Sequence, residues 1–300
     1  MTMQTSPGHL VKPGHYENFP VASLILPRRL RRPVRAIYAF ARAADDIADE
    51  GEAPAEQRLA DLQSFRSKLR ALECGEVLDD PIFGPLGTAI RGHDLPFQPF
   101  HDLLDAFSQD CTKTRYGHFG EVMDYCRKSA NPIGRLLLML YGDRDARHQA
   151  WADGVCSALQ LINFLQDVAI DQGKGRIYLP QDEMAKFGVS ERQIAEGRVD
   201  GLWQQFMKTQ IERARRMLKA GAPLGLALKG RIGVEMRLII LGGERILYKL
   251  GESRGDVFNQ RPVLTLTDWL AMLRGALWPK RRKGGGDGCS SGSCNSGCGR

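Results

Sequence analysis

Two groups of side chains in this sequence have the types and spacing to do chemistry. The first is Tyr38, Arg42, Asp45 and Asp49, set four, three and four residues apart. On an α-helix that spacing puts all four on one face. Their neighbours Ala39, Phe40, Ala41, Ala43, Ala44, Ile47 and Ala48 are small or apolar, so ordinary solvated charge explains the stripe poorly. The second group is Gln160, Asn163, Asp167 and Asp171, again on one helical face and surrounded by Leu159, Leu161, Ile162, Phe164, Leu165, Val168 and Ile170. A helix that is apolar nearly all round is buried. Asp167 and Asp171 are therefore expected to be acids inside a core, which requires a compensating cation.

The repeated D-x-x-x-D pattern suits Mg²⁺, which takes oxygen ligands, keeps waters and completes its shell with substrate phosphates. Two such stripes facing each other describe a cavity whose rim binds a diphosphate through metal ions. One D-x-x-x-D on a helix is usually surface charge. Two copies in apolar helices, each with polar companions one turn upstream, argue for the metal.

The elements that must carry these groups read as helices throughout. Apolar residues recur at three- and four-residue spacing over 34–50, 55–74, 99–107, 121–129, 132–141, 149–171, 191–196, 202–220, 230–250 and 266–277. Proline and glycine clusters separate them, and no set of alternating runs supports a sheet. Asn131 before Pro132 is expected to cap the helix that follows. With 300 residues, 43% of them apolar, the chain can bury one large core. No run approaches the ~20 apolar residues of a membrane span. The expected architecture is a single all-α domain over 1–279, followed by a basic and then Gly/Ser/Cys-rich, disordered tail over 280–300.

The net charge of +7 is uneven: Lys280, Arg281, Arg282, Lys283 and Arg300 against Asp287 leave the rest of the chain nearly balanced. No basic stripe interleaved with aromatics suggests a nucleic-acid partner. Seven cysteines without a framework pattern, and no signal-peptide pattern at the start, point to a reducing cytoplasm. Cys289, Cys294 and Cys298 make only a weak case for a soft metal.

These residues resemble the squalene/phytoene synthase family, which has the all-α isoprenoid synthase fold around a central apolar cavity. The likeness runs from His15 to about Trp269. It is carried by Asp45-Asp46-Ile47-Ala48-Asp49-Glu50, Tyr125-Cys126, Asn163-x-x-x-Asp167-x-x-x-Asp171 and Gly175-Arg176-Ile177-Tyr178-Leu179-Pro180. The opening from His15 to Ser23 is similar to one bacterial branch in particular, which captures a carbocation with water. The resemblance implies Mg²⁺ on Asp45, Asp49, Asp167 and Asp171, with Asn163 assisting. It implies diphosphate contacts from Tyr38, Arg42, Gln160, Arg176 and His15. Tyr125 would sit near the reacting carbons and Tyr178 would support the leaving group; Arg261, Lys113, Arg115 and Tyr116 are weaker transfers. Each has a plainer alternative: the tyrosines could be core aromatics, and Arg42 could simply neutralise Asp45 or Asp46.

The chain departs from the wider family at two places. It has Ser129-Ala130-Asn131 where Val-Ala-Gly is usual, and Gln166 where arginine is usual. The first adds groups able to hold water and the second removes a fixed diphosphate donor. Both agree with the branch that captures a carbocation with water, for which the resemblance implies conversion of presqualene diphosphate and water to hydroxysqualene and diphosphate, with Tyr125, Ser129 or Asn131 positioning the water. The rivals are joining of two prenyl diphosphates on the same fold, and a non-catalytic carrier of polyisoprenoid lipid. An insoluble product predicts loose attachment to the inner face of the cytoplasmic membrane through Lys280–Lys283, Trp269, Trp278 and nearby leucines. No obligate protein partner is evident.

Overall fold

The computed structural model describes residues 26–278. His15, the basic run 280–283 and the three distal cysteines lie outside the described residues. The described chain forms fourteen helices. These are α1 (Arg28–Asp49), α2 (Ala55–Glu73), α3 (Phe83–His93), α4 (Gln98–Asp110), α5 (Phe119–Ser129), α6 (Asn131–Leu140) and α7 (Ala146–Gln166). Then follow α8 (Val168–Gly173), α9 (Gln181–Phe187), α10 (Glu191–Ala195), α11 (Gly201–Gly221), α12 (Leu224–Ala227), α13 (Gly230–Glu252) and α14 (Leu266–Leu277). Among the described residues there is no strand; the one β-bridge joins Arg115 to Ile177.

Two apolar clusters hold the bundle together. One gathers α1 to α4 and α6 around Phe40, whose ring meets Phe83 and Phe100 edge-on at 5.8 and 5.5 Å. The other gathers α5, α7, α9 to α11 and α13 around Trp203, Phe206, Phe164 and Tyr178. α1 begins six residues earlier than its periodicity predicts, ahead of Pro33. Leu26 and Leu30 are fully buried in the first cluster, and that burial outweighs the hydrogen bond a proline removes. α3 was hidden by Gly84, Pro85 and Gly87, which read as breakers. Its start is held by Asp80, whose carboxylate accepts from the amides of Ile82 and Phe83 at 2.8 Å each. α9 and α12 are too short to show a period.

Two sequence expectations change. The segment 149–171 is not one helix: α7 ends at Gln166, Asp167 adopts φ −105°, ψ 12°, and α8 starts afresh. Asn131 does not cap α6; Ala130 occupies that place. The Asn131 side chain is buried instead, accepting from Ser157 Oγ on α7 at 2.8 Å. No described helix is long and apolar enough to cross a membrane.

α11 lies close against α7 at Gly221. A Cβ at Gly221 would lie 2.5 Å from the Trp151 carbonyl oxygen and 2.7 Å from Val155 Cγ2. Backbone cannot yield there as a flexible side chain would. Gly221→Ala is expected to cost about 1–3 kcal/mol of stability through overpacking. Gly92→Ala is the control: its Cβ meets nothing within 4 Å, and the melting temperature should hold or rise.

Candidate active site

The last turn of α1 carries Asp45, Asp46 and Asp49 at the negative end of the helix dipole, an unfavourable place for carboxylates. Arg42 answers part of that charge. Its guanidinium reaches Asp45 at 2.9 Å, Asp46 at 2.5 Å and Glu50 at 2.9 Å. Burial, and then the neighbouring Asp49 charge, still push the Asp45 carboxyl up to about 6, against the pull of Arg42.

Asp49 is gripped from across the bundle. Arg176 Nη2 donates to it at 2.5 Å and Lys174 Nζ at 3.3 Å. Both cations stand on the turn that leaves α8, where Gly175 takes φ +78°, a left-handed conformation that suits glycine. The Arg176 amide donates to the Asp171 carbonyl at 2.8 Å, and Arg115 donates to the Gly175 carbonyl at 2.6 Å. Together these fix the turn. At the α7–α8 break, Arg261 donates to both Asp167 oxygens, at 2.5 and 3.2 Å. Burial, then Asp167 and, more weakly, Asp49 raise the Asp171 carboxyl to about 7, while Arg176 and Lys174 oppose them. The two aspartate pairs thus share one rim. Asp167 is about a quarter exposed and Asp171 is partly exposed, so they edge the core rather than lie inside it.

Behind the rim a buried polar chain runs inward. Arg176 Nη1 donates to Tyr178 Oη at 3.1 Å, Tyr178 donates to Asp110 Oδ1 at 3.1 Å, and Tyr125 donates to Asp110 Oδ2 at 2.7 Å. Burial raises the Asp110 carboxyl to about 7 despite the bond from Tyr125 and the charge of Arg176. Burial and the nearby Asp110 carry both tyrosine hydroxyls well above their ordinary range. Phe164 stacks on Tyr178 at 3.9 Å, and Tyr116 stacks on its ring at 5.4 Å. An apolar pocket of about 20 Å³ adjoins these rings, lined by Phe119, Val122, Leu161 and Leu165.

The remaining sequence-predicted residues divide. Ser129 Oγ is buried with no hydrogen-bond partner among the described residues. Asn131 Oδ1 is already engaged by Ser157, which weakens the expectation that Asn131 holds a water. Tyr38 and Gln160 are half-buried on α1 and α7, and Asn163 is exposed. Lys113 pairs with Glu121 at 2.7 Å and Arg115 with Glu191 at 2.7 Å, so neither meets the aspartates. Gln166 is buried, and its amide donates to the Pro262 carbonyl at 2.7 Å. Asp110 and Lys174 escaped the sequence reading. Asp110 ends an amphipathic helix like any surface acid, and only contacts 15 and 68 residues away reveal it.

The donor set at the rim fits a hard cation. It is wholly oxygen, it stands in two pairs, and it carries enough mutual repulsion to raise two of its members. Among the described residues no three such side chains converge to hold an ion unaided. The pairs would need phosphate oxygens to complete a Mg²⁺ shell.

A strandless helical bundle with paired aspartates at one rim is the architecture of an isoprenoid synthase. Residues 12–268 match the squalene/phytoene synthase family model, and the chain belongs to that family. It is 36% identical over 257 residues to a hydroxysqualene synthase of Zymomonas mobilis, covering 83% of each chain. It is 32% identical over 213 residues to a 15-cis-phytoene synthase of Synechococcus elongatus, covering 66% of this chain and 68% of that one. Among solved structures it is similar to the squalene synthase HpnC of Alicyclobacillus acidocaldarius, with TM-score 0.74 and 34% identity over 80% of this chain and 90% of that chain.

Asp110 supplies a pH signature. Its folded-state value lies above the unfolded one, so the folded protein binds the extra proton between about 4 and about 7. Its contribution to stability is present below that window and is lost as pH rises through it. Asp110→Asn should remove this slope, which amounts to on the order of 2–4 kcal/mol across the window. Denaturant unfolding of both proteins at pH 5 and 7.5 measures it. Equal slopes in both would show that Asp110 titrates normally.

Proposed function

We propose that the protein converts presqualene diphosphate and water to hydroxysqualene and diphosphate, with Mg²⁺ as its cofactor. The observation that carries this reading is the meeting of Asp45/Asp49 with Asp167/Asp171 at a rim studded with Arg42, Lys174, Arg176 and Arg261. The 36% identity to a hydroxysqualene synthase supports the choice of product. Asp45, Asp49, Asp167 and Asp171 would hold Mg²⁺, which would supply the charge that eases C–O cleavage.

The chain's own residues do the rest. Arg42, Lys174 and Arg176 add fixed positive charge to the departing group. Arg176 is held at Asp49 by its turn and by Tyr178, so it needs little reorganisation when the diphosphate arrives. The Tyr125, Phe164 and Tyr178 rings pack on one another and keep bulk water away from a carbocation. Ser129, whose hydroxyl has no hydrogen-bond partner among the described residues, is the residue we assign to the attacking water. The proton released in that attack is taken up by the freed diphosphate.

A second reading, joining two prenyl diphosphates, is favoured by the likeness to a 15-cis-phytoene synthase. Purified protein should be incubated with presqualene diphosphate and, separately, with farnesyl diphosphate, and the products identified by mass spectrometry. Hydroxysqualene from the first is the expected result. Turnover of farnesyl diphosphate but not of presqualene diphosphate would select the second reading. Asp49→Ala and Asp171→Ala should each cut diphosphate release at least about a hundredfold. Lipid transfer that survives both changes, with no diphosphate release, would favour a non-catalytic carrier. Ser129→Ala should lower the share of alcohol among the products without abolishing ionisation.

A further inference from the structure

The turn that carries Lys174 and Arg176 is built around a glycine. Gly175 takes φ +78°, and with no Cβ it does little to restrict how the peptide after it is oriented. A glycine linkage next to a working arginine would leave that arginine free to swing. Here the 175–176 peptide is clamped at both ends. Its N–H, on Arg176, donates to the Asp171 carbonyl at 2.8 Å. Its C=O, on Gly175, accepts from Arg115 Nη1 at 2.6 Å. The first clamp belongs to the end of α8 itself, whereas the second arrives from 60 residues away.

Arg115 is held as firmly as it holds. The same Nη1 donates to the Thr114 carbonyl at 2.8 Å. Nε donates to Glu191 Oε1 at 2.7 Å and Nη2 to Glu191 Oε2 at 2.8 Å. All three guanidinium nitrogens are thus engaged, two of them in a fork on one carboxylate, which fixes the plane of the group. Glu191 stands in the first turn of α10, and α10 packs on α8. Backbone completes the frame: the Ile177 amide donates to the Thr114 carbonyl at 3.0 Å and the Gln181 amide to the Tyr116 carbonyl at 2.9 Å. The Arg115 and Glu191 side chains are at least a third exposed, and an exposed ion pair adds little to stability. Stabilisation alone is therefore a poor account of a guanidinium wholly engaged at one surface turn.

We propose that Arg115 is a positioning residue. Oriented by Glu191, it fixes the 175–176 peptide and so keeps the Arg176 guanidinium aimed at the rim, where it meets Asp49 at 2.5 Å. None of the Arg115 bonds goes to an aspartate, so its effect on a bound diphosphate runs through Arg176. This rests on the reading above in which Arg176 meets the diphosphate, and it adds an arginine that sets the affinity for that ligand without touching it.

Two measurements on the full chain test it. The first uses no ligand: amide hydrogen exchange at Arg176. Arg115→Met should speed that exchange at least about tenfold, while the melting temperature falls by no more than about 4 °C. The second is isothermal titration with inorganic diphosphate in the presence of Mg²⁺. Arg176→Gln and Arg115→Met should each weaken binding at least about fivefold. Added to Arg176→Gln, Arg115→Met should weaken it by less than about twofold more, because the two act in one line. Arg115→Lys keeps the charge but brings one nitrogen where the fork brings three, and should bind diphosphate within about twofold of Arg115→Met. Unchanged exchange at Arg176, full recovery by lysine, or equal losses in both backgrounds would overturn the proposal. Wild-type binding by Arg115→Met beside weakened binding by Arg176→Gln would overturn it and leave the diphosphate reading standing. Binding that neither change affects, or no binding at all, would sink the diphosphate reading and the positioning role with it.

Discussion

Negative charge crowded at one end of a helical bundle is the constraint to which the rest of the structure answers. The α1 dipole already points its negative end at Asp45, Asp46 and Asp49, and α8 brings Asp171 within electrostatic reach of them. Left alone, these carboxylates would drive the helix ends apart. Four cations hold them, and three of the four arrive from elsewhere: Lys174 and Arg176 on the turn after α8, and Arg261 on the linker into α14. Partial protonation near neutrality is the remaining sign of the strain, in Asp45 and Asp171 alike. Such a rim is primed for anything that brings cations to the carboxylates or phosphate to the arginines.

The scaffold makes that crowding tolerable by burying greasy surface on both sides of it. The Phe40 cluster fixes α1, and the Trp203 cluster fixes α7 and α11. Arg176 links rim to interior, since one guanidinium touches Asp49 at the surface and Tyr178 beneath. Asp110 then ties Tyr178 to Tyr125. Each member of this chain has a partner, which is what a buried polar chain needs to avoid a heavy desolvation cost.

The sequence made the helical architecture legible because apolar residues repeat at helical spacing in every long element. It made the two stripes legible because carboxylates at four-residue spacing sit oddly among alanines and leucines. What it concealed has physical reasons. Proline and glycine in α3 mimic a loop until Asp80 is seen holding the amides at its start. The bend at Asp167 leaves no composition signal, because local spacing reads straight through it; the Arg261 contact that accompanies it spans 94 residues. Asp110 owes its role to the tyrosines that reach it, and a lone acid at a helix end says nothing about who will arrive. Asn131 has the right chemistry for a cap, but burial against Ser157 offered its side chain a better partner.

The buried Gln166 amide fastens the Pro262 carbonyl, and an amide neither ionises nor fades in brine. Upstream of that rivet hangs Arg261; downstream begins the outward row of Leu266, Leu270, Leu273 and Leu277. Whatever protons or salt do to the carboxylates, the aspartate rim and the greasy flank stay tied to α7 at that point.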